Sequence, residues 1–210
     1  MSFAENGYEV VRNVISDELL ENLKIQFDMM KNVQFFITSQ KNNYAFGDYQ
    51  SPNSFSVYGA SFSESLAIQL KDKISEVVNL DLYPTYTYAR IYYNGATLNP
   101  HKDRPSCEYS TTLCIDSTNI WDFHINNRDG IENVVKLNPG DMCVYSGCDL
   151  EHWRNPYNGE MQMQCFLHYV NSNGPYKEFK YDKRPMMGLG TKISNELLIK
   201  NKKNNNILYQ

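Results

Sequence analysis

Within NPHKDRPSCEYSTTL, residues 99–113, His101 and Asp103 stand two apart, just ahead of a β-branched run. Side chains at i and i+2 of an extended segment point to the same side. The pair can therefore offer one imidazole and one carboxylate to a single metal ion, at or near a strand end. A third donor must come from elsewhere, and the best candidate is His152 in DLEHWRN. It follows the strand-like MCVYS and precedes the turn NPYNGE and the longer run MQMQCFLHYV. In an antiparallel barrel, a residue at such a strand end can face the first pair across the interior. Two imidazoles and one carboxylate on one face of a metal leave three coordination positions open, which suits non-haem Fe(II) and oxygen activation. An isolated His-x-Asp is weak evidence, because four histidines and 24 acidic residues among 210 produce such pairs by chance. On its own it reads as a hydrogen-bonded surface pair, so the context has to decide.

The elements that must position these donors follow from periodicity and turn chemistry. Residues 7–13, GYEVVRN, read as a short strand. Ser16 then caps a helix with Asp17 and Glu18 in its first turn and Leu19, Leu20, Leu23 and Phe27 on its apolar face. Residues 32–62, rich in Asn, Ser, Tyr and Gly, read as loops and short strands. A second amphipathic helix is predicted over 63–78, with Leu66, Ile68, Leu70, Ile74 and Val77 as its apolar positions. From Tyr83 onward the pattern becomes YTYARIYY, EYSTTLCI, IWDFHI, ENVVKL, MCVYS and MQMQCFLHYV, broken by NGATLNP, NNRDG, NPGD and NPYNGE. Helices followed by closely spaced strands predict an α+β domain, mainly antiparallel β, closing as a jelly-roll type sandwich or barrel. We expect one domain over residues 1–185 and a polar Lys/Asn-rich, loose tail over 186–210.

Composition narrows the classes of function. Apolar residues make up 41% and charged residues 21% of the 210, which fits a globular chain with a full core. A net charge of −4, with no basic stretch interleaved by aromatics, makes nucleic acid an unlikely partner. The opening MSFAENGYEVV has neither an apolar core nor a basic leader, and no apolar run is long enough to cross a bilayer. We therefore expect no secretory signal and no membrane span. The five cysteines form no CxxC pair and are odd in number, favouring reduced thiols and a cytoplasmic setting over a disulfide or zinc framework.

The longer string YYNGATLNPHKD has the form Tyr-x-x-Gly-x-x-apolar-x-Pro-His-x-Asp. It closely resembles the metal-binding strand of prolyl 4-hydroxylase-like 2-oxoglutarate/Fe(II)-dependent dioxygenases. Downstream, LNPGDMCVYSGCDLEHW resembles the Pro-Gly-Asp turn, strand and distal histidine of that superfamily, and GYEVVRNVISDEL resembles its N-terminal strand and helix. The matches run in order over about residues 7–170. The resemblance implies a double-stranded β-helix (cupin-like) core with N-terminal helices packed on one sheet. It further implies Fe(II) held by His101, Asp103 and His152, 2-oxoglutarate chelating the iron, and O2 as co-reactant. The reaction so implied is oxidative decarboxylation to succinate and carbon dioxide, coupled to attack on an unactivated C–H bond. A carboxylate at position 103 leaves no vacancy for a halide, which favours hydroxylation or demethylation over halogenation.

The cosubstrate residues are less uniform. Tyr92 occupies the tyrosine position whose hydroxyl binds the cosubstrate in the family; its plainer reading is a barrel-wall aromatic. Where the family places an Arg or Lys about ten residues beyond the distal histidine, this chain has GEMQMQCF and no cation. A buried dianion needs a partner. Arg154, two residues past His152 and on its side if the segment is extended, could clamp the carboxylate through its guanidinium fork. Arg90, two before Tyr92, and Gln164 are further candidates. Arg104, Glu108 and Ser110, just past the metal pair, could recognise a small-molecule or peptide substrate, although an Arg104–Glu108 ion pair stiffening the loop is the more ordinary outcome. Trp153 could line the mouth or pack against the ligands. His124 is expected at the surface and His168 as a satisfied core histidine rather than a fourth ligand. A second class of function is a cupin-like metal- or small-molecule-binding barrel without oxygenase activity, to which the missing cation lends weight.

Overall fold

The computed structural model describes residues 2–36, 44–48 and 50–188. Among the described residues four helices, α1 (Phe3–Asn6), α2 (Asp17–Val33), α3 (Ser61–Gln69) and α4 (Lys71–Val78), accompany eleven strands. These are β1 (Tyr8–Val11), β2 (Tyr44–Phe46), β3 (Ser54–Tyr58), β4 (Leu82–Tyr93), β5 (Leu98–His101), β6 (Tyr109–Ser117), β7 (Phe123–Asn126), β8 (Glu132–Val135), β9 (Met142–Ser146), β10 (His152–Arg154) and β11 (Met161–Asn171). A seven-stranded sheet, β1-β9-β6-β11-β4-β3-β2, faces a four-stranded one, β5-β10-β7-β8. Every pairing is antiparallel. This is the expected α+β jelly roll.

The large sheet is covered on both faces, so its strands read as runs of buried residues rather than a clean alternation. One face takes the helices: Leu23, Phe27 and Met30 of α2, Leu66 and Ala67 of α3 and Ile74 of α4 pack with Ala89, Ile91, Leu113, Ile115, Val144 and Leu167. The other face looks into the sandwich. There Cys114, Cys143 and Tyr145 meet Phe123, Ile125 and Val135 of the small sheet. Neighbours in sequence, such as Leu113 and Cys114, thus serve different cores, as the two-residue period of a strand requires.

Ser16 caps α2 as expected, its hydroxyl accepting from the Leu19 amide. The single helix predicted over 63–78 is instead two, α3 and α4, hinged at Leu70 (φ −88°, ψ −3°). The apolar face runs on through the break, since Leu66, Leu70 and Ile74 recur every four residues and are all buried, while Ile68, two from each of Leu66 and Leu70, lies on the opposite face. Leu66 is buried whereas Ile68 is 57% exposed. NGATLNP, read as a break, contains the start of β5, an edge strand in which Pro100 is tolerated because one side needs no ladder bond.

Past β11 the chain does not detach. Residues 177–183 form 3-10 turns, and the buried Asp182 and Arg184 tie this segment back. Asp182 accepts from Arg104 and from the Tyr58 hydroxyl, and Arg184 pairs with buried Glu64. Of the expected tail over 186–210, only 186–188 belong to the described residues; the remainder lies outside them.

Candidate metal centre

His101 closes β5 and His152 opens β10, and the two are register partners across the small sheet. Their rings lie 4.3 Å apart between centroids. Asp103 lies two residues past the end of β5, its amide donating to the Gly147 carbonyl at 2.8 Å. The carboxylate Oδ1 comes within 3.6 Å of His101 Nε2 and 3.8 Å of His152 Nε2. One ligand atom from each residue lies within 4.8 Å of the other two. The structure brings together the three side chains picked out in the sequence.

The hydrogen bonds decide which atoms face inward. His101 Nδ1 lies 2.7 Å from the Asn99 carbonyl and His152 Nδ1 lies 2.9 Å from the Leu150 carbonyl. A carbonyl only accepts, so each Nδ1 carries the proton and each Nε2 keeps its lone pair for a metal. Burial pulls the His152 imidazole below its ordinary value, which keeps it in the neutral, ligating form. Burial also disfavours the charged form of His101, but the neighbouring Asp103 carboxylate and the Asn99 carbonyl outweigh it and raise that pKa. For Asp103, burial pushes upward, yet the neighbouring imidazoles of His101, His152 and His168 and the Ser110 hydroxyl outweigh it and hold the carboxyl well below the usual carboxylate range.

A supporting layer fixes the carboxylate. Ser110 Oγ donates to Asp103 Oδ2 at 2.8 Å and sits 2.9 Å from His168 Nδ1. Burial lowers His168 to about 4, so it is neutral near pH 7. Its Nδ1–H can then donate to Ser110, whose own proton goes to Asp103, leaving Oδ1 free. Partners of this kind tune metal affinity by about 10- to 100-fold. Ser110→Ala is therefore expected to lower metal affinity by that factor with the fold intact, measured by metal titration of the apo-protein. Gly147 is equally constrained. A Cβ there would run into Asp103 Oδ2, the Cys107 carbonyl and Ser110 Oγ. Gly147→Ala should cost about 1–3 kcal/mol of stability by overpacking, seen as a lower thermal midpoint together with weaker metal binding.

The ligands open into a cavity between the sheets, lined among others by Tyr86, Tyr88, Arg90, Tyr92, Leu98, Tyr145, Phe166 and His168. Tyr92 and Arg90 thus stand where the sequence placed them, on one face of β4. Arg154 lies on the inner side of β10, fully buried. It donates to the Trp121 carbonyl and, at 3.5 Å, toward Thr112 Oγ1, with its guanidinium over the Trp121 and Phe123 rings. Its Nε has no hydrogen-bond partner, and among the described residues no carboxylate forms an ion pair with it. Gln164 joins the same layer, donating to Thr112 Oγ1 at 2.6 Å and accepting from Gln162 at 2.7 Å.

Other expectations need correction. Trp153 points away from the cavity: the alternation of β10 sends it to the outer face, stacked on His124 at 5.3 Å. Arg104 does not pair with Glu108. Its two terminal nitrogens bond Asp182 at 2.9 and 3.0 Å, because the chain past β11 folds back over it. Glu108 accepts from the Asn171 amide at 2.8 Å. Ser110 faces Asp103 rather than a substrate. Tyr145, packed 4.7 Å from the His152 ring, and Tyr86, Tyr88 and Phe166 were not picked out from sequence. The even-numbered alternation along YTYARIYY was the available signal for the β4 residues; Tyr145 and Phe166 carry none.

No family model and no curated protein matches the chain by sequence. Solved structures do match by fold. A Pseudomonas putida prolyl-4-hydroxylase superposes with a TM-score of 0.63 at 14% identity, covering 80% of this chain and 95% of that one. AviO1 from Streptomyces viridochromogenes Tue57 gives 0.67 at 16% identity, covering 82% and 93%. HygX from Streptomyces hygroscopicus, solved with nickel, 2-oxoglutarate and hygromycin B bound, gives 0.62 at 13% identity, covering 81% and 85%. The chain therefore shares the double-stranded β-helix fold of these solved structures.

Proposed function

We propose that the protein is an Fe(II)- and 2-oxoglutarate-dependent oxygenase that hydroxylates a small-molecule or peptide substrate. His101, Asp103 and His152 are its iron ligands. The observation that carries this reading is the donor set itself: two Nε2 lone pairs and one carboxylate oxygen converging from separate strands, with one side open to a cavity. Fe(II) with 2-oxoglutarate and O2 would supply the oxidising chemistry, releasing succinate and carbon dioxide.

The chain's own residues supply position, charge and dryness. Arg154 answers the missing downstream cation. Arg154 stands two residues past His152, ~6.8 Å farther along the strand, and would hold the far carboxylate of a five-carbon diacid bound at the metal. With its Nε unpartnered beside the Thr112–Gln164 layer, Arg154 would take the far carboxylate, while Tyr92 stands on the cavity wall. Metal, Asp103, dianion and Arg154 then sum to zero charge, which a buried site favours. Tyr145, Leu98 and Phe166 limit water around the ligands. Nucleic acid stays an unlikely partner on charge grounds. No helix among the described residues is long and apolar enough to cross a membrane.

The test is spectroscopic. Fe(II) and 2-oxoglutarate added without oxygen should give a visible metal-to-ligand charge-transfer band, and succinate should form once oxygen and substrate are admitted. A protein that binds the metal but shows no band is the cupin-like binding barrel, a reading that the Gln162 and Gln164 positions keep in play.

A further inference from the structure

The cavity has two unlike walls. From the large sheet, β4 contributes Tyr86, Tyr88, Arg90 and Tyr92, and β11 contributes Phe166, directly across from Tyr88 in the ladder. From the small sheet come Leu98 and the metal ligands His101 and His152. A flat, apolar body fits such a slot, because aromatic faces gain most from stacking and from excluding water.

Among the described residues lining this slot, Arg90 is the one guanidinium or ammonium. It lies 5.5 and 5.8 Å from the ring centres of Tyr88 and Tyr92 and is only 7% exposed. One terminal nitrogen donates to Asp48 Oδ2 at 2.8 Å, while its buried Nε has no partner. Asp48 is held in place from its other oxygen, which accepts from the Gln50 and Ser51 amides. Asp48 therefore meets a single guanidinium nitrogen and leaves a buried donor unmatched, which is unfavourable. A second carboxylate could take Nε and the adjacent nitrogen together.

We infer that Arg90 receives the carboxylate of the substrate, an organic acid whose flat, apolar body lies along Tyr88 and Phe166 toward the metal. This rests on the oxygenase reading, in which Arg154 takes the cosubstrate and leaves Arg90 free for a different anion. Asp48 is the built-in competitor that occupies Arg90 until the substrate arrives.

Phenylacetate and its uncharged analogue phenylacetamide are suitable probes, titrated into protein loaded with Fe(II) and 2-oxoglutarate under nitrogen, and into metal-free protein by ligand-observed NMR. The acid should bind at least tenfold tighter than the amide, and Arg90→Met should erase that preference while Arg90→Lys retains part of it. Asp48→Asn should tighten acid binding several-fold, which loss of a merely structural ion pair would not do. Equal binding of acid and amide, failure of both to bind, or weaker acid binding in Asp48→Asn would overturn the inference. So would an Arg90→Met protein that loses affinity for 2-oxoglutarate but not for phenylacetate. Absence of the charge-transfer band with acid preference retained on the metal-free protein would instead count against the oxygenase reading alone.

Discussion

Asp103→Ala protein should release no measurable succinate, and its affinity for Fe(II) should fall by roughly two to four orders of magnitude. The size follows from electrostatics. Asp103 is the only charged member of the ligand set, and it is held ionised among two imidazoles, a serine hydroxyl and the buried His168. Removing one partner from a buried, hydrogen-bonded charge interaction costs about 3–5 kcal/mol, and each 1.4 kcal/mol is about tenfold in affinity. Asp103→Asn keeps the shape and a hydrogen bond to Ser110 but removes the charge, so it should bind metal weakly as well. Metal titration of the apo-proteins separates lost binding from lost folding, because an apo-protein with wild-type thermal stability has kept its barrel. Wild-type succinate release from Asp103→Ala would end the assignment of the metal centre.

The second large effect has opposite signs in two measurements. Arg154→Met should weaken 2-oxoglutarate binding by about 30- to 4000-fold, the ~2–5 kcal/mol that truncating one side of a buried charge pair takes away. The same change should leave the ligand-free protein at least as stable as wild type. In the free protein Arg154 is a fully buried cation with no carboxylate partner among the described residues and a bare Nε. Its hydrogen bond to the Trp121 carbonyl and its contacts with the Trp121 and Phe123 rings offset only part of that desolvation. Replacing such a charge by an apolar side chain of similar length is often neutral or stabilising by about 1–4 kcal/mol. Thermal melts with and without 2-oxoglutarate read both signs at once: the ligand-induced rise in midpoint should vanish while the ligand-free midpoint holds. A purely structural arginine would give the reverse, with a fall in the ligand-free midpoint and no change in cosubstrate affinity.

The parts of this protein that could be read from the amino-acid order are those set by local rules. Ser16 ahead of an acidic first turn specifies a helix start, and turn-punctuated β-branched runs specify antiparallel strands, because capping and pleating act within a few residues. The His101–Asp103 spacing specifies a shared side for the same reason. Reading failed where no local pattern marks the outcome: the stripe of Leu66, Leu70 and Ile74 continues across the helix break at Leu70, and only Ile68 leaves it.

What tertiary structure alone decided is which distant groups meet. Arg104 finds Asp182 rather than nearby Glu108 because the segment past β11 returns over the barrel, and no local pattern announces that return. Trp153 turns outward and Arg154 inward because β10 pairs with both β5 and β7, which fixes its faces. The lone pairs of His101 and His152 point at Asp103 only because the carbonyls of Asn99 in β5 and of Leu150 in the bend before β10 hold the opposite nitrogens. Side-chain type and spacing are encoded along the chain, whereas burial, partner and direction depend on surfaces assembled from residues far apart in it. That is why the donors could be named in advance and the bare, buried state of Arg154 and of Arg90 Nε could not.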